Sequence, residues 1–364
     1  MKIVVTGTRG IPDILGGIET HCEEVFPRIA AQGYEVTVIR RKNYTHDHLQ
    51  EYKGVKLVDI RAPHIKALEA IVHTFRAVHT AKFKLKADVL HVHAVGPALA
   101  IPYAKLLGMK IVFTNHGPDY ERSKWSRLAK FMLRLGETAS VRFSDQIIVI
   151  SKVINDILRT KYGREDAHLI YNGISQPAFR DDPDYLRTLG VDSRKYILAS
   201  GRFVPEKNFD QLIRAFTAVN DKKDYRLVIA GDANFEDIHS IELKKLAREN
   251  DIVLTGFIRG DKLHTLLNNA SAFVLPSSHE GLPISLLEAM NYDLPVVVSD
   301  IPANREVNLP KENYFRVNKE SELEEKLQQH ILQGYQPVVY DMRQYNWDKI
   351  AGQIIEVYQL AINL

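Results

Sequence analysis

Two glutamates stand on either side of an apolar run in the segment SHEGLPISLLEAM, residues 278–290. A carboxylate in such surroundings is unfavourable unless a partner pairs with it. Pro283 suits the first turn of a helix, so the pattern predicts Glu280 in the loop before that helix and Glu288 inside it. Glu280 can then accept hydrogen bonds from the hydroxyls of a neutral polyol. Glu288 suits a fixed pair of hydroxyls, such as a ribose edge.

Two cations follow an apolar run in ASGRFVPEKNFDQLIRAF, residues 199–216. Arg202 comes directly after a predicted strand, and Lys207 stands at the head of a predicted helix. A guanidinium and an ammonium in one loop suit a diphosphate, because charge-assisted hydrogen bonds contribute about 1.5–3 kcal/mol each. The alternative is a solvated pair at the end of a loop. A nucleotide sugar combines the ribose, diphosphate and sugar that the cations and the two glutamates could bind.

A paired glycine lies in the loop GTRGIPDILGGIETHCEEV, residues 7–25. Gly16 and Gly17 precede a helical pattern, so free N–H groups and the helix dipole could receive an anion that approaches closely. The loop is not a GxGxxG fingerprint, and the next strand, EVTVIRR, ends in arginines rather than in an acidic residue. Both features disfavour a dinucleotide site. The alternative for the glycine pair is a simple turn.

The histidines divide into one candidate and several open cases. His116 ends an apolar run and is followed by Gly-Pro, which predicts that it faces the ligand. We expect His91 and His93 on opposite faces of one strand, with one of them packed inside. Neither has the spacing of a metal-binding pair on a helix. His279 is as consistent with a solvated loop as with a binding role.

The elements that must position these residues appear as short apolar runs between helical patterns. Such runs are typical of strands buried on both faces, and their alternation with helices predicts parallel sheets built from βαβ units. The runs are KIVVT, EVTVI, VKLVDI, DVLHVH, KIVFTN, QIIVIS, YILAS, RLVIA, DIVLTG, AFVLP and PVVVSD.

A linker rich in proline, glycine and polar residues separates two series of runs at YNGISQPAFRDDPDYLRTLG. We therefore expect one α/β domain over residues 1–178 and a second over 179–345. An amphipathic helix over 346–364 is predicted to pack back on the first domain. Ligands of open α/β sheets bind outside the carboxyl ends of the strands, so the loops that carry the candidate residues should surround one central cleft.

Composition excludes several classes of protein. The chain has 364 residues, of which 45% are hydrophobic and 26% charged, enough for two buried cores. It has no apolar run of about 18 residues, and MKIVVTGTRG turns polar too early for a secretory signal, so we expect a cytoplasmic protein. The single cysteine, Cys22, excludes an internal disulfide and predicts a buried thiol on a helix face.

The two halves differ in charge. Residues 1–175 contain 26 Lys and Arg against 17 Asp and Glu, a net +9. The remainder holds 48 − 26 = 22 against 45 − 17 = 28, a net −6. This asymmetry indicates that the first half meets something anionic, either a membrane surface or a phosphorylated acceptor. Chance variation of the surface is the alternative.

One predicted helix carries part of this positive charge, in ERSKWSRLAKFMLRLGETASVRF, residues 121–143. Its cations recur on one face and its apolar residues on an adjoining face, which is typical of a helix lying on an anionic membrane. The alternative is that the apolar residues pack on the sheet beneath. The cations are Arg127, Lys130 and Arg134, and the apolar residues are Trp125, Leu128, Met132 and Leu135.

Taken together, several motifs resemble the retaining GT-B glycosyltransferases of family four. They are the E-x7-E of Glu280 and Glu288, GRFVPEKN, GGIE, HVHAVGPAL, TNHG and IYNGI, and the match covers nearly the whole chain in the expected order. The opening VVTGTRGIPDILGGIETHCEEV is similar to a bacterial group with rhamnosyltransferase-like members of polysaccharide assembly. The resemblance implies a GT-B fold, with two Rossmann-like doubly wound parallel-sheet domains facing a central cleft. It implies retaining transfer of a hexose or deoxyhexose from a nucleotide-diphosphate sugar to a glycan acceptor, for which we favour a lipid-linked glycan.

The resemblance also assigns roles to individual positions. It implies that Arg202 and Lys207 hold the diphosphate, that Glu280 binds sugar hydroxyls and Glu288 the ribose, and that His116 lies near the reacting centre. Gly16 and Gly17 would face the donor phosphate or the acceptor. Backbone positions complete the site: Gly256 and Phe257 would border the base, and Gly281, Leu282, Pro283 and Ile284 would meet phosphate or sugar.

The expected mechanism follows from the same assignments. Double displacement needs a carboxylate nucleophile beside the anomeric carbon, whereas Glu280 is assigned to the sugar hydroxyls. We therefore favour a front-face transfer in which the leaving diphosphate deprotonates the acceptor. No Asp-x-Asp stands where a metal would bridge the diphosphate, and Arg202 with Lys207 can supply that charge. We expect no metal, no cofactor and no nucleic-acid partner, and peripheral contact with the inner face of the cell membrane is a further hypothesis.

Two rival functions remain open. A sugar-nucleotide 2-epimerase would convert its substrate without an acceptor. A non-catalytic partner subunit would be expected to have lost Glu280, Arg202 or Lys207, and all three are present. The intact E-x7-E and GRFVPEKN motifs favour a transferase.

Overall fold

The computed structural model describes residues 1–45, 47–63, 66–121, 125–177, 181–219, 224–233 and 236–363. The chain divides into two compact units. The first unit is Met1–Gly173 with Tyr345–Leu364, and the second is Ile174–Gln344. The predicted boundary between residues 178 and 179 lies outside the described residues, and the observed division precedes it at Gly173. Each unit has its own sheet, so each is described separately.

The first unit is built on an eight-stranded sheet in the order β3-β4-β2-β1-β5-β6-β7-β8. All neighbouring strands are parallel except β3 and β4. The strands are β1 (Lys2–Thr6), β2 (Glu35–Arg41), β3 (Glu51–Tyr52), β4 (Val55–Ile60), β5 (Val89–His93), β6 (Lys110–Asn115), β7 (Gln146–Val149) and β8 (His168–Leu169). The helices are α1 (Gly17–Ala31), α2 (Lys66–Phe83), α3 (Ile101–Leu106), α4 (Arg127–Phe143) and α5 (Lys152–Tyr162).

The second unit contains a six-stranded parallel sheet in the order β11-β10-β9-β12-β13-β14. Its strands are β9 (Tyr196–Ser200), β10 (Arg226–Ala230), β11 (Val253–Leu254), β12 (Ala272–Leu275), β13 (Val296–Ser299) and β14 (Tyr314–Phe315). The helices are α6 (Pro183–Leu189), α7 (Phe209–Ala218), α8 (Ile238–Glu249), α9 (Asp261–Asn269), α10 (Ile284–Asn291), α11 (Pro302–Arg305) and α12 (Glu320–Gln333).

The last helix, α13 (Trp347–Asn363), belongs to the first unit. Its buried face includes Trp347 and Tyr358. The Trp347 ring lies 5.6 Å from that of His21 in a perpendicular contact. The Tyr358 hydroxyl lies 2.7 Å from His91 Nδ1. The end of the chain therefore completes the interior of the unit that the beginning of the chain starts.

Each apolar run identified in the sequence forms a strand, and the prediction of two parallel-sheet α/β domains is confirmed. Three strands of two residues, β3, β8 and β14, were not predicted, because no apolar run surrounds them; β11 also has two residues, but it lies within the run DIVLTG. Cys22 is buried on α1, as expected. Within the described residues, no helix is both long enough and apolar enough to cross a membrane.

Both sheets reverse their winding at one pair of strands. In the first unit the reversal lies between β1 and β5, and in the second unit it lies between β9 and β12. Ligands of such sheets bind outside the strand carboxyl ends at this point. The loops after β1, β5, β9 and β12 are therefore the places to look for a site.

Candidate functional site

In the second unit, a glycine follows each of three neighbouring strands, so no side chain covers the backbone there. Gly201 follows β9, Gly231 follows β10, and Gly256 lies just after β11. The Gly231 amide donates to the Gly256 carbonyl oxygen at 2.9 Å. A Cβ on Gly231 would lie 1.9 Å from the carbonyl oxygen of Gly201, so this position requires glycine. Bare backbone is thus presented along this edge of the sheet.

An ion pair joins the loops at the winding reversal of the second sheet. Lys207 Nζ lies 2.6 Å from Glu280 Oε1, with the two side chains 15% and 13% exposed. Lys207 ends a 3-10 turn before α7, and Glu280 lies in the loop between β12 and α10. The same two loops are tied by Asn208 Nδ2, which donates to the carbonyl oxygen of Pro276 at 3.0 Å. The structure therefore brings together one predicted cation and one predicted carboxylate, in a position that a ligand can still reach.

The other predicted residues of the second unit lie close to Lys207 or Glu280 in the sequence. Arg202 comes directly after Gly201 and is partly exposed. Glu288 lies within α10 and is partly exposed, while Glu280 precedes that helix, as predicted. Pro283 caps α10 instead of occupying its first turn, because the helix begins at Ile284. Gly281 and Ile284 are partly exposed, whereas Leu282 and Pro283 are buried.

A cavity of about 400 Å³ lies beside the bare strand ends. Gly231 and Gly256 line it together with Phe203, Lys244 and Arg248. Phe257, the neighbour of Gly256, is 41% exposed. Both positions were predicted to border a base: Gly256 lines the cavity, and Phe257 has an exposed aromatic ring.

In the first unit, a buried ion pair shapes the loop after β1. Glu19, in the first turn of α1, is only 4% exposed. Its Oε2 lies 2.9 Å from Arg9 Nη2, and its Oε1 accepts from the Arg9 Nε and backbone N–H, both at 3.1 Å. Arg9 Nη2 also donates to the carbonyl oxygen of Leu15 at 2.8 Å. The Arg9 guanidinium therefore links both ends of the loop through Leu15 and Glu19.

The two predicted glycines have different surroundings in that loop. Gly16 has φ +152°, and a Cβ there would lie 2.2 Å from Glu19 Oε2 and 2.4 Å from Arg9 Nη2. A Cβ on Gly17 would meet nothing within 4 Å. A side chain at Gly16 would therefore be strained by the backbone φ and would displace the ends of the Arg9 and Glu19 side chains, whereas Gly17 borders open space at the N-terminus of α1.

The prediction that His91 and His93 lie on opposite faces of their strand is wrong. Their ring centroids are 4.2 Å apart, because residues two positions apart in a strand share a face. His91 is fully buried and fixed on both sides, by Tyr358 Oη at Nδ1 and by Thr114 Oγ1 at Nε2, each at 2.7 Å. It is a structural residue.

His93 and His116 form a hydrogen-bonded pair at the end of the sheet. His93 ends β5 and His116 follows β6, and His93 Nδ1 lies 2.9 Å from His116 Nε2. The ring of His21, from α1, lies 5.3 Å from that of His116 in a perpendicular contact. His93 is fully buried and His116 is partly exposed. Together with His21 and His91, this pair forms a histidine cluster, of which His116 is the member that a substrate can touch.

Close backbone approach brings the loop after β1 to this cluster. A Cβ on Gly7 would lie 2.1 Å from the His93 carbonyl oxygen, and Gly7 has φ +98°. The position therefore requires glycine, and the two strands of the winding reversal meet there. The predicted Gly16–Gly17 segment and the predicted His116 belong to loops at the same edge of the first sheet.

All four histidines of the cluster are uncharged at neutral pH. Burial lowers the pKa of His21 to about 4 and that of His91 to about 3. Burial, with neighbouring histidines adding to it, holds the pKa of His93 and of His116 well below 6.5. Among the described residues, no three His, Cys, Asp or Glu side chains are grouped so that they could hold a metal ion.

The basic helix α4 carries an exposed apolar stripe. It begins at Arg127, with Ser126 as its cap, so Trp125 lies outside the helix on which it was predicted. Leu128 is 71% exposed, Phe131 57% and Leu135 41%. The alternative that the apolar residues pack on the sheet is therefore wrong for Leu128 and Leu135.

The opposite face of α4 is held by a buried carboxylate. Glu137, 1% exposed, accepts hydrogen bonds from Tyr162 Oη at 2.7 Å and from Tyr120 Oη at 3.2 Å. Lys161 Nζ lies 2.6 Å from its Oε2. These contacts fix α4 against α5, so the exposed stripe belongs to a helix whose orientation is set from within.

Sequence reasoning did not identify Arg9, Glu19, His21 or Gly231 as parts of these loops. A signal existed for Glu19, because a carboxylate in the first turn of a helix after a loop arginine suggests a pair. No local pattern identifies His21, whose neighbours come from distant parts of the chain. Gly231 could have been found by asking which strands end in glycine.

Two family models match the chain in succession. The model described as Glycosyltransferase Family 4 matches residues 15–176, and that described as Glycosyl transferases group 1 matches residues 184–351. The first match covers most of the first unit and ends three residues into the second, and the second match includes the loops that carry Lys207 and Glu280.

Known proteins agree with these matches. An uncharacterised glycosyltransferase of Methanocaldococcus jannaschii is 27% identical, over 100% of this chain and 99% of its own. Sucrose-phosphate synthase from Thermosynechococcus elongatus shares the fold, with a TM-score of 0.78, 17% identity and coverage of 98% of both chains. Anabaena HepE in complex with UDP-glucose gives 0.74 at 17% identity, over 100% of this chain and 98% of that one. The chain therefore belongs to the GT-B glycosyltransferases of the group 1 and family 4 type.

Proposed function

We propose that this glycosyltransferase moves a hexose or deoxyhexose from a nucleotide-diphosphate sugar to a hydroxyl of a lipid-linked glycan. Transfer retains the anomeric configuration and needs no metal. The acceptor belongs to bacterial surface polysaccharide assembly, which the opening segment of the sequence favours by its resemblance to rhamnosyltransferase-like members.

The observation that carries the donor assignment is the Lys207–Glu280 pair at the winding reversal of the second sheet. The ammonium, with Arg202 nearby in the same loop, gives two cations for a diphosphate, and Glu280 gives an acceptor for sugar hydroxyls. Because Glu280 holds Lys207 in place before a ligand arrives, less side-chain entropy is lost on binding. Glu288 binds the ribose, and Gly256 with Phe257 borders the base.

The nature of the donor is supported by the HepE complex, which contains UDP-glucose in a protein of the same fold. A nucleoside diphosphate sugar is therefore the first class of donor to test, with UDP, dTDP and GDP as bases. We assign contact with phosphate or sugar to the backbone of Gly281, in the loop before α10, and of Ile284, the first residue of that helix; both residues are partly exposed.

Transfer proceeds on one face of the sugar. The acceptor oxygen forms a bond to the anomeric carbon while the bond from that carbon to the diphosphate oxygen breaks. The acceptor proton passes to the departing diphosphate, whose added charge is stabilised by Arg202 and Lys207. Glu280, engaged by Lys207, stays with the sugar hydroxyls, and His116 supports the reacting centre.

A lipid-linked acceptor is supported by the surface of α4. Leu128, Phe131 and Leu135 form an exposed apolar stripe beside Arg127 and other cations of the same helix. Apolar insertion and attraction to anionic lipids together favour a helix lying in the membrane interface. The net charge of +9 over residues 1–175 adds to that attraction.

The test is a donor and acceptor panel. Thermal shift with UDP, dTDP, GDP and ADP and their common sugars identifies the nucleotide, and incubation of that donor with lipid-linked glycans should give a glycosylated product. Nuclear magnetic resonance of the new linkage should show the anomeric configuration of the donor. Conversion of the donor without any acceptor would instead identify a 2-epimerase, and binding with neither reaction would indicate a non-catalytic subunit.

A further inference from the structure

We propose that His93 sets the proton position on His116, so that His116 offers an Nδ1–H donor to the substrates and cannot remove the acceptor proton. His93 is thus a positioning residue that acts through His116. The part that His116 plays in transfer rests on the proposed function. The proton position itself does not, because it can be measured without substrates.

The geometry is that of two imidazoles joined edge to edge. The ring centroids are 5.2 Å apart, the planes differ by 28°, and the facing nitrogens are separated by 2.9 Å. Rings stacked face to face could not place two nitrogens at that distance with so large a centroid separation. A single proton therefore lies between His93 Nδ1 and His116 Nε2, and it belongs to one of them.

Burial decides to which nitrogen the proton belongs. His93 Nε2 is buried and has no hydrogen-bond partner within the described ranges. If His116 were the donor, neutral His93 would carry its own proton on that Nε2, leaving a buried N–H without an acceptor. If His93 donates from Nδ1, its Nε2 holds only a lone pair. Buried N–H groups without acceptors are the rarer case, so His93 is the donor.

A charged arrangement is disfavoured by the surroundings. Burial is the main reason that the pKa values of His93 and His116 lie well below 6.5, and the nearby His21 and His91 lower them further. The hydrogen-bond partners of those neighbours are Asn172, Tyr358 and Thr114, which are neutral at neutral pH. Both rings are therefore neutral, and each carries one proton.

His21 shows the same pattern independently. Its Nδ1 lies 3.0 Å from Asn172 Oδ1, an oxygen that can only accept, so the proton is on Nδ1. Its Nε2 is buried without a partner in the described part of the chain, as is that of His93. Two adjacent histidines thus keep their protons on Nδ1 and bury a bare Nε2.

The consequence for His116 follows from the second nitrogen of its ring. Because His116 Nε2 accepts from His93, its proton must be on Nδ1, and its only lone pair is already engaged. His116 is partly exposed, so an N–H on its ring can bind a hydroxyl or phosphate oxygen and stabilise it as negative charge develops. The acceptor proton must then go elsewhere, which agrees with the leaving diphosphate as the base.

The direct test is the proton position in the ligand-free, full-length protein labelled with ¹⁵N-histidine. Long-range ¹H–¹⁵N correlation distinguishes an Nδ1–H from an Nε2–H ring, and a His116→Asn variant assigns the signals. We expect His116 to carry its proton on Nδ1 throughout about pH 6 to pH 8. An Nε2–H ring, or an imidazolium in that range, would overturn the proposal.

Two substitutions at His93 test its role in transfer. His93→Asn keeps an N–H donor at the same number of bonds from Cβ as Nδ1, whereas the ionised carboxylate of His93→Asp offers only acceptors and reverses the hydrogen bond. We expect the Asn variant to keep kcat within about threefold and to keep His116 in the Nδ1–H form, and the Asp variant to lose about tenfold to a hundredfold in kcat. Thermal unfolding checks that both variants fold. If the Asp variant does not fold, the spectrum of the wild-type protein still decides the proton position.

Equal kcat values for folded Asn and Asp variants would overturn the positioning role. Failure of the proposed function has a different signature: the wild-type protein would transfer no sugar from any donor, while the proton position on His116 would stay as measured.

Discussion

The strand ends of the two units differ in what they offer a ligand. In the first unit they carry neutral histidines, of which His93 is buried and His116 partly exposed, and the ion pair described in the loop after β1, Arg9–Glu19, is buried. In the second unit they carry bare glycine backbone and a Lys207–Glu280 pair that keeps some exposure. The second arrangement suits a charged ligand, and the first suits hydroxyl groups near a reacting centre. Two sheets with the same winding reversal are thus adapted to different chemistry by the residues just after their strands.

The largest expected effect is the loss of both cations of the second unit. Arg202→Ala and Lys207→Ala should each lower kcat/KM about tenfold to a hundredfold, and the double variant about a hundredfold to ten-thousandfold if the contacts are independent. Steady-state kinetics with the donor found in the panel measure this. Arg214→Ala is the matched control, because Arg214 is exposed and pairs with Asp210 and Glu320. Near-normal transfer by the folded double variant would remove the diphosphate assignment.

The histidines should make the first unit sensitive to acid. The folded pKa values of His21 and His91, about 4 and about 3, lie below the unfolded value of 6.5. The unfolded state therefore binds more protons below pH 6.5, and stability that is complete above that pH falls as the pH decreases. Each residue should contribute about 1.4 kcal/mol per pH unit between pH 6.5 and its folded value.

Tryptophan fluorescence can follow this unfolding in the first unit alone. The chain has two tryptophans, Trp125 and Trp347, and both belong to that unit. Urea unfolding should give a lower unfolding free energy at about pH 5.5 than at about pH 7. His91→Gln should make this dependence on pH less steep by the contribution of one histidine. An unfolding free energy independent of pH in this range would contradict the buried, neutral state of the cluster.

Membrane binding should depend on the basic face of α4. Each cation near an anionic surface contributes about 1 kcal/mol. Changing Arg127, Lys130 and Arg134 to Glu should therefore lower the apparent affinity for anionic vesicles, measured by sedimentation, about a hundredfold or more. Neutral vesicles should bind less than anionic ones. A variant with Arg187, Lys245 and Arg343 changed to Glu has the same charge change at exposed sites of the second unit. Equal loss in both triple variants, or none in either, would contradict the assignment to α4.

Adjacent glycines give a smaller, internally controlled effect. Gly16→Ala places a Cβ against the Arg9–Glu19 pair at a φ of +152°, and should lower the unfolding free energy by about 1–3 kcal/mol. Gly17→Ala meets nothing within 4 Å and should change it by less than about 0.5 kcal/mol. If Gly17→Ala folds normally but transfers poorly, a ligand occupies that space. Equal destabilisation by the two changes would show that the loop is not closed as described.

Chelation should have no effect on transfer. Arg202 and Lys207 supply the positive charge that a metal would otherwise bring to the diphosphate. Activity measured with and without excess EDTA, followed by addition of magnesium or manganese, tests this. A strict requirement for either ion would mean that the two cations do not serve the diphosphate.

The sequence was most informative where a pattern repeats over several residues. Apolar runs identified every strand of more than two residues, and the placement of Glu280 before α10 and Glu288 within it is confirmed. The Lys207–Glu280 pair could not be derived in the same way, because its members are 73 residues apart and only the winding of the sheet brings them together. Pair formation over such a distance depends on topology, which no local pattern encodes.

The histidine cluster shows a different limit. The alternation of side chains in a strand was available from the sequence, and correct use of its period of two would have placed His91 and His93 on one face. That His21 and Tyr358 meet them could not be predicted, since these residues come from α1 and α13. A residue's surroundings in a core depend on which helices cover the sheet.

The position of α13 has a consequence for the order in which the protein is made. Trp347 and Tyr358, which contact His21 and His91, leave the ribosome only after the whole second unit has been synthesised. The core of the first unit therefore stays incomplete during this time, with the side chains beneath α13 uncovered. The second unit, in contrast, can fold from a continuous stretch of chain. During translation the second unit should become protease-resistant before the first is complete, and a nascent chain released before residue 345 should expose the histidine cluster to solvent.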